Sequence, residues 1–151
     1  AQLTLSQRAD LAGAIIVSTP QDLALIDARK GLNMFRQVNV PVLGIIENMA
    51  YFVPEELPEN KYYIFGQEGA KHLALDLAVT FLGEIPIVQS IREAGDYGRP
   101  AALQEGTQTA LAFKSLTQEI IKETVKRHDE LPPTEVVKIT TMAGCSTVKN
   151  K

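Results

Sequence analysis

The chain has 151 residues, 45% of them apolar and 22% charged, with a formal net charge of −3 and a pI near 5.4. That is enough chain for one domain with a real core, and the acidic balance argues against a nucleic-acid footprint, which needs a basic face. The one cysteine, Cys145, excludes an intrachain disulfide framework, and with no CxxC or His/Cys cluster one chain cannot build a four-ligand zinc or iron–sulfur site.

Residues 1–11 read as a short helix or loop with no cap and no preceding turn, as if the chain began inside a larger unit. They lack the basic start and apolar stretch of a signal peptide, and no later apolar run is long enough to cross a bilayer, so a cytoplasmic setting without membrane contact is expected. Residues 12–18 form a nearly continuous apolar run, as suits a strand buried on both faces. Thr19 is placed to cap a helix, with Pro20 at its first position and Asp22 in its first turn. Leu25, Ala28, Leu32 and Phe35 then recur at three- and four-residue steps as one apolar stripe, ending at Asn39. A second buried strand is predicted over residues 40–46, ended by Glu47-Asn48-Met49. Residues 50–69 carry Pro54, Pro58, Asn60, Gly66 and Gly69, together with Tyr51, Phe52, Tyr62, Tyr63 and Phe65, and read as a functional or mobile loop in which 62–65 can pair with 50–53 as a short hairpin. A helix over 69–78 places Ala70, Leu73, Ala74 and Leu77 on one face. A third strand over 79–85 ends at Glu84-Ile85-Pro86. One or two helical turns at 89–96 and a loop lead to the longest helix, from Thr107 to about Arg127, with Phe113, Leu116 and Ile120 inward. Pro132-Pro133 then breaks the chain, giving a domain over 1–131 and a flexible tail over 132–151, where Val136, Val137 and Ile139 have some strand character.

Strands alternating with helices describe parallel βαβ units, and such sheets bind ligands beyond the carboxyl ends of their strands. The fold class is therefore α/β, a parallel sheet flanked by helices. Asn48 sits on the expected binding rim, where its amide can donate and accept together, as a purine edge requires; the plain alternative is a turn asparagine bonded to its own backbone. Pro86, after Glu84-Ile85, either forms a flat apolar wall for a base or simply stops a strand. Arg92 either reaches an anion or makes local ion pairs on a surface helix. Asp22 and Asp27 read as a first-turn charge and a solvent-facing one. His72 and His128 have no partner in the pattern and are assigned no catalysis. Glu55, Glu56 and Glu59 form an acidic patch, for a cation or basic partner or only for solvent. Cys145 is an incidental tail thiol or a ligand shared between two chains. No catalytic residue or metal ligand is assigned.

Several stretches combine into one likeness: AQLTLSQRADLAGAIIVSTPQDLALIDARKGLNMF, VPVLGIIENMAYF, YYIFGQEGAKHLA and FLGEIPIVQSIREAGDYGRP. Through the blocks STPQ, ENMxYF and GEIPxxxxIREAGDxGxP, residues 1–102 resemble the carboxyl-terminal half of Mrp/ApbC proteins, P-loop ATPases of the MinD/ParA superfamily described as iron–sulfur cluster carriers. The resemblance implies a partial P-loop NTPase fold, with Asn48 and the stretch Ile85, Pro86 and Ile87 lining an adenine pocket. It implies ATP and Mg²⁺ as cofactors of the parent protein, which pairs as a homodimer or with a missing amino-terminal half and serves iron–sulfur clients. The deviant Walker A loop and the DxPPGTGD-type switch that such proteins carry upstream are not in this sequence, so the chain by itself is expected to bind ATP weakly or not at all and to be inactive. Many relatives also place CxxC between the ENMxYF and YYIFG blocks, two pairs across a dimer holding a [4Fe–4S] cluster; here that stretch is VPEELPENK. Glutamates are poor replacements for soft thiolates, so the cluster comes from the family and not from these residues. A missing Walker strand would leave residues 12–18 as an apolar sheet edge, implying marginal stability, self-association or pairing with the other half. A MinD/ParA-type positioning ATPase, and a non-enzymatic module presenting the aromatic loop, are the rival readings.

Overall fold

Short apolar runs rich in Ile, Val and Leu between helical segments become three strands, and their partners are one another. The computed structural model describes residues 2–6, 8–54, 56, 57 and 59–135. In chain order the elements are α1 (Gln2–Ser6), β1 (Ala14–Ser18), α2 (Asp22–Gln37), β2 (Val42–Phe52), α3 (Gly69–Asp76), β3 (Phe81–Ile87), α4 (Gln89–Asp96), a 3₁₀ turn (Ala101–Leu103) and α5 (Gln108–Glu130). The strands form one sheet in the order β1-β2-β3, with both pairings parallel.

Each face of the sheet buries its own apolar layer. On one, Ile16 and Ile45 pack with Ala28 and Leu32 of α2 and Ala70, Leu73 and Ala74 of α3, flanked by Leu25 and Phe35. On the other, Ile46, Leu82 and Ile85 pack with Leu116 of α5, flanked by Phe113 and Ile120. Ile45 and Ile46 are neighbours on β2 and serve opposite layers, which is the alternation of a strand covered on both sides. The apolar stripes predicted for α2, α3 and α5 are therefore the faces that dock. Gly44 lets β3 come close: a β-carbon there would stand 2.5 Å from the Thr80 carbonyl oxygen and 2.6 Å from Leu82 Cγ.

The element boundaries depart from the predicted ones in informative ways. Thr19 does not cap α2; its hydroxyl donates to Gln21 Oε1 at 2.9 Å, and the cap position is Gln21, whose side chain makes no capping bond. Asn39 does close the helix, in the left-handed region at φ 57°, with the Val40 N–H donating back to the Phe35 carbonyl at 2.9 Å. β2 does not end at Glu47–Met49. It runs on to Phe52, because Phe52 still finds Ile87 on one side and exchanges two 2.8 Å backbone hydrogen bonds with Tyr62 on the other. The predicted hairpin over 50–53 and 62–65 thus shrinks to one antiparallel bridge. β3 passes through Pro86 to Ile87: Pro86 has no register partner, and β3 is an outer strand of the described sheet, so its missing N–H breaks no ladder bond. Thr107 caps α5 as expected, its hydroxyl accepting from the Ala110 N–H at 3.1 Å. The strand character expected at Val136, Val137 and Ile139 lies outside the described residues.

Candidate nucleotide-base wall and its buried carboxylate

The sheet is staggered at its carboxyl end. β1 stops at Ser18, opposite Glu47, while β2 continues beside β3 with Asn48 opposite Ile85 and Phe52 opposite Ile87. Between Asn48 and Phe52 the register slips, and Met49 takes a left-handed conformation at φ 57°. An irregularity of this kind bends a strand and re-aims its side chains.

Glu47 lies at the point where β1 gives out, and it is 2% exposed. Its carboxylate crosses to the start of α3, where Oε2 accepts from the Ala70 N–H at 2.7 Å, and the Glu68 N–H also faces it. α3 needs such a partner. Its cap position is Glu68, in the left-handed region at φ 56°, and Glu68 makes no side-chain capping bond. The first amides of a helix are orphan donors at the positive end of its dipole, and here a carboxylate from 23 residues upstream satisfies one of them. Gly69 makes the approach possible, since a β-carbon there would collide with the Pro20 carbonyl oxygen and come within 2.8 Å of Leu25 Cδ1. Burial raises the Glu47 pKa above its ordinary value; the Ala70 N–H works against burial, and Glu84 adds to the rise. Glu68 is held by Lys71 at 2.6 Å, an ion pair that lowers the Glu68 pKa and raises that of Lys71.

Asn48 follows directly. It is half-buried, and its Oδ1 accepts from the Met49 N–H at 3.0 Å, the contact of the plain turn-asparagine reading. The side-chain nitrogen has no hydrogen-bond partner among the described residues. Ile85 and Pro86 are buried and Ile87 half-buried. Just beyond the strand ends an open cleft of about 440 Å³ is lined by Phe52, Pro54, Ile87, Gln89 and Glu93 among others. Of the four positions expected to line a base, only Ile87 borders that cleft; Asn48 and Ile85 are joined instead by the register of the sheet.

The other sequence candidates separate. Arg92 pairs with Asp96 at 3.0 Å and Glu93 at 3.5 Å on its own helix, the local alternative. Asp27 binds Lys30 in solvent, and Asp22 stands in the first turn of α2. His72 borders a groove between α2 and α3 with Asp22, Arg29 and Asp76, and His128 is exposed. Glu56 and Glu59 are exposed, while Glu55 and Cys145 lie outside the described residues. No group of three or more His, Cys, Asp or Glu side chains that could hold a metal occurs among the described residues. Glu47 itself was read only as a strand terminator. The signal for it was a carboxylate inside an apolar run, matched by a helix whose start offers no Ser, Thr, Asp or Asn.

The family model for the NUBPL iron-transfer P-loop NTPases of the ParA group matches residues 1–121. The chain belongs to this family. The iron–sulfur cluster transfer protein NUBPL of Dictyostelium discoideum is 48% identical over 122 residues, covering 80% of this chain and 38% of the relative. The iron–sulfur cluster carrier protein of Synechocystis sp. is 46% identical over 121 residues, covering 80% and 34%. Among solved structures, a nucleotide-binding protein of Archaeoglobus fulgidus in complex with ADP superposes with a TM-score of 0.59 at 38% identity, over 74% of this chain and 44% of that one. The cell division ATPase MinD of Pyrococcus furiosus gives 0.56 at 25% identity, over 74% and 43%. The chain thus has the MinD/ParA-like P-loop NTPase fold, and it spans less than half the length of these relatives. No helix of the described residues is long and apolar enough to cross a membrane.

Proposed function

We propose that this chain is the base-recognition portion of an ATP-dependent iron–sulfur cluster carrier, with Asn48, Ile85, Pro86 and Ile87 forming one wall of the adenine pocket. The observation that carries the reading is the parallel register of β2 and β3, which sets Asn48 against Ile85 at the carboxyl end of a sheet whose relative from Archaeoglobus fulgidus is described in complex with ADP. The residues fit the base: a half-buried amide with a free N–H₂ stands beside an apolar edge. They do not fit the phosphates or Mg²⁺. The sequence contains no Walker A motif, and the cleft beyond the strands is bordered by Glu56 and Glu93. The work of this portion is to bind and orient.

The cluster is cargo. This sequence offers one cysteine, so cluster ligands come from flanking sequence, from a second chain or from a client. We read the exposed Met49, Phe52, Tyr62, Tyr63 and Ile64 beside the base wall as the surface presented to a client or to a second copy of the protein. We take the cytoplasm as the working location; a relative from Arabidopsis thaliana is named mitochondrial, and cell fractionation decides between the two.

The test uses the full-length protein, with whatever sequence flanks these residues. Asn48→Ala is expected to weaken ATP binding about tenfold, the scale of one good hydrogen bond to a base, and to narrow the preference for ATP over GTP. Unchanged affinity and unchanged preference in a folded variant would overturn the reading.

A further inference from the structure

We propose that Glu47 is a positioning residue for the base wall: its buried carboxylate bolts β2 to the start of α3 and so fixes the direction in which Asn48 presents its amide. The inference rests on the adenine-wall reading and adds to it a residue that touches no ligand.

Three observations converge on it. Glu47 is the last residue of β2 with a partner on β1, so beyond it the strand has lost one of its two neighbours. The next two residues are the half-buried Asn48 and the left-handed Met49, whose N–H is taken by Asn48 Oδ1. Without a fixed point, that turn would be free to swing. The 2.7 Å bond from the Ala70 N–H supplies the fixed point, and it is sealed from water by a side chain only 2% exposed. A buried acceptor of this kind is costly to leave unmade, so the bond holds the strand as firmly as it satisfies the helix. With one lone pair of its Oδ1 tied to Met49, Asn48 offers a ligand its N–H₂ and the remaining lone pair, and the direction of both follows from the backbone that Glu47 anchors.

The charged groups facing Glu47 are Glu84 from β3, Glu68 from the turn before α3 and Lys71 from the first turn of α3; its partner on β1 is the uncharged Ser18. Titration of Glu47 therefore reads out the bolt. In nitrogen-resolved NMR of the protein, the Ala70 N–H and the Asn48 side-chain N–H₂ are expected to shift with one shared midpoint as pH is raised. An Ala70 signal that titrates while the Asn48 side chain stays flat would overturn the proposal, and this measurement needs no variant.

Binding by the full-length protein gives the second arm. Glu47→Gln keeps the size of the side chain but sets a donor among donors. It is expected to weaken ATP binding about tenfold and to reduce the ATP-over-GTP preference, with Glu47→Asp recovering part of both. A simple loss of packing would lower stability and leave the base preference alone. If Asn48→Ala leaves affinity and preference intact, the base wall itself fails and its positioning residue falls with it. If Asn48→Ala lowers both and a folded Glu47→Gln lowers neither, only the role of Glu47 fails.

Discussion

Burial and the negative charge of Glu84 push the Glu47 carboxyl the same way, above its ordinary value of 4.5, and the Ala70 N–H only partly offsets them. Between 4.5 and the raised folded value, the folded chain holds a proton that the unfolded chain has released. The contribution of Glu47 to stability is then full below the unfolded value and declines as pH rises through the folded one. Denaturant midpoints measured from pH 4 upward are expected to show this downward component in the wild type and to lose it in Glu47→Gln; identical slopes would contradict the buried, titrating carboxyl. Leu32, fully buried between α2 and the sheet, supplies a control of different origin. Leu32→Ala removes apolar contact and opens a cavity, and a cost of about 2–5 kcal/mol with no pH dependence is expected in denaturant unfolding. The two residues differ equally in how they appear in the sequence. Leu32 belongs to a stripe of local spacing and is visible there. The partner of Glu47 is 23 residues away, across a fold not yet known, so a carboxylate among Ile, Gly and Leu reads as the end of a strand.

Elements were legible where their pattern is local, and their ends were not where a neighbour decides them. The apolar stripes of α2, α3 and α5 follow from a period of 3.6 and the three strands from continuous apolar runs, and the residues of both pack into the two layers of the sheet. Asn48 and Pro86 carry the local marks of strand termini. Yet β2 and β3 outrun them because each still finds a partner, Phe52 with both Ile87 and Tyr62. The carboxyl rim of the sheet shares this limit: Asn48 and Pro86 stood out in the sequence, and the tie from Glu47 to the start of α3 did not. Two substitutions probe element ends directly. Thr107→Ala removes the acceptor for the Ala110 N–H and is expected to cost about 1 kcal/mol in thermal or denaturant unfolding. Gly69→Ala drives a methyl group into the Pro20 carbonyl at the junction of α2 and α3, and a larger loss of about 1–3 kcal/mol is expected, with the Ala70 amide losing hydrogen-exchange protection first.

At the scale of the whole molecule, the described sheet ends on an outer strand. β1 has a strand neighbour on one side among the described residues, and its Val17 is 57% exposed, so apolar surface lies along a strand edge. Edges of this kind recruit further strands. Sedimentation of the chain is expected to show self-association that Val17→Lys reduces; a strict monomer with stability above ~10 kcal/mol would argue against an edge in need of a partner. The aromatic loop has the opposite character, because it is clasped. Phe52 and Tyr62 close residues 53–61 into a circuit whose two ends are fastened by main-chain bonds, with Lys61 seated 4.0 Å from the Tyr51 ring centre. The entropy of such a circuit changes slowly with its length and hardly at all with its lettering. Side chains along that circuit can therefore be exchanged while the sheet beneath is left undisturbed, which makes it the part of this scaffold where chemistry is changed at least cost to the fold.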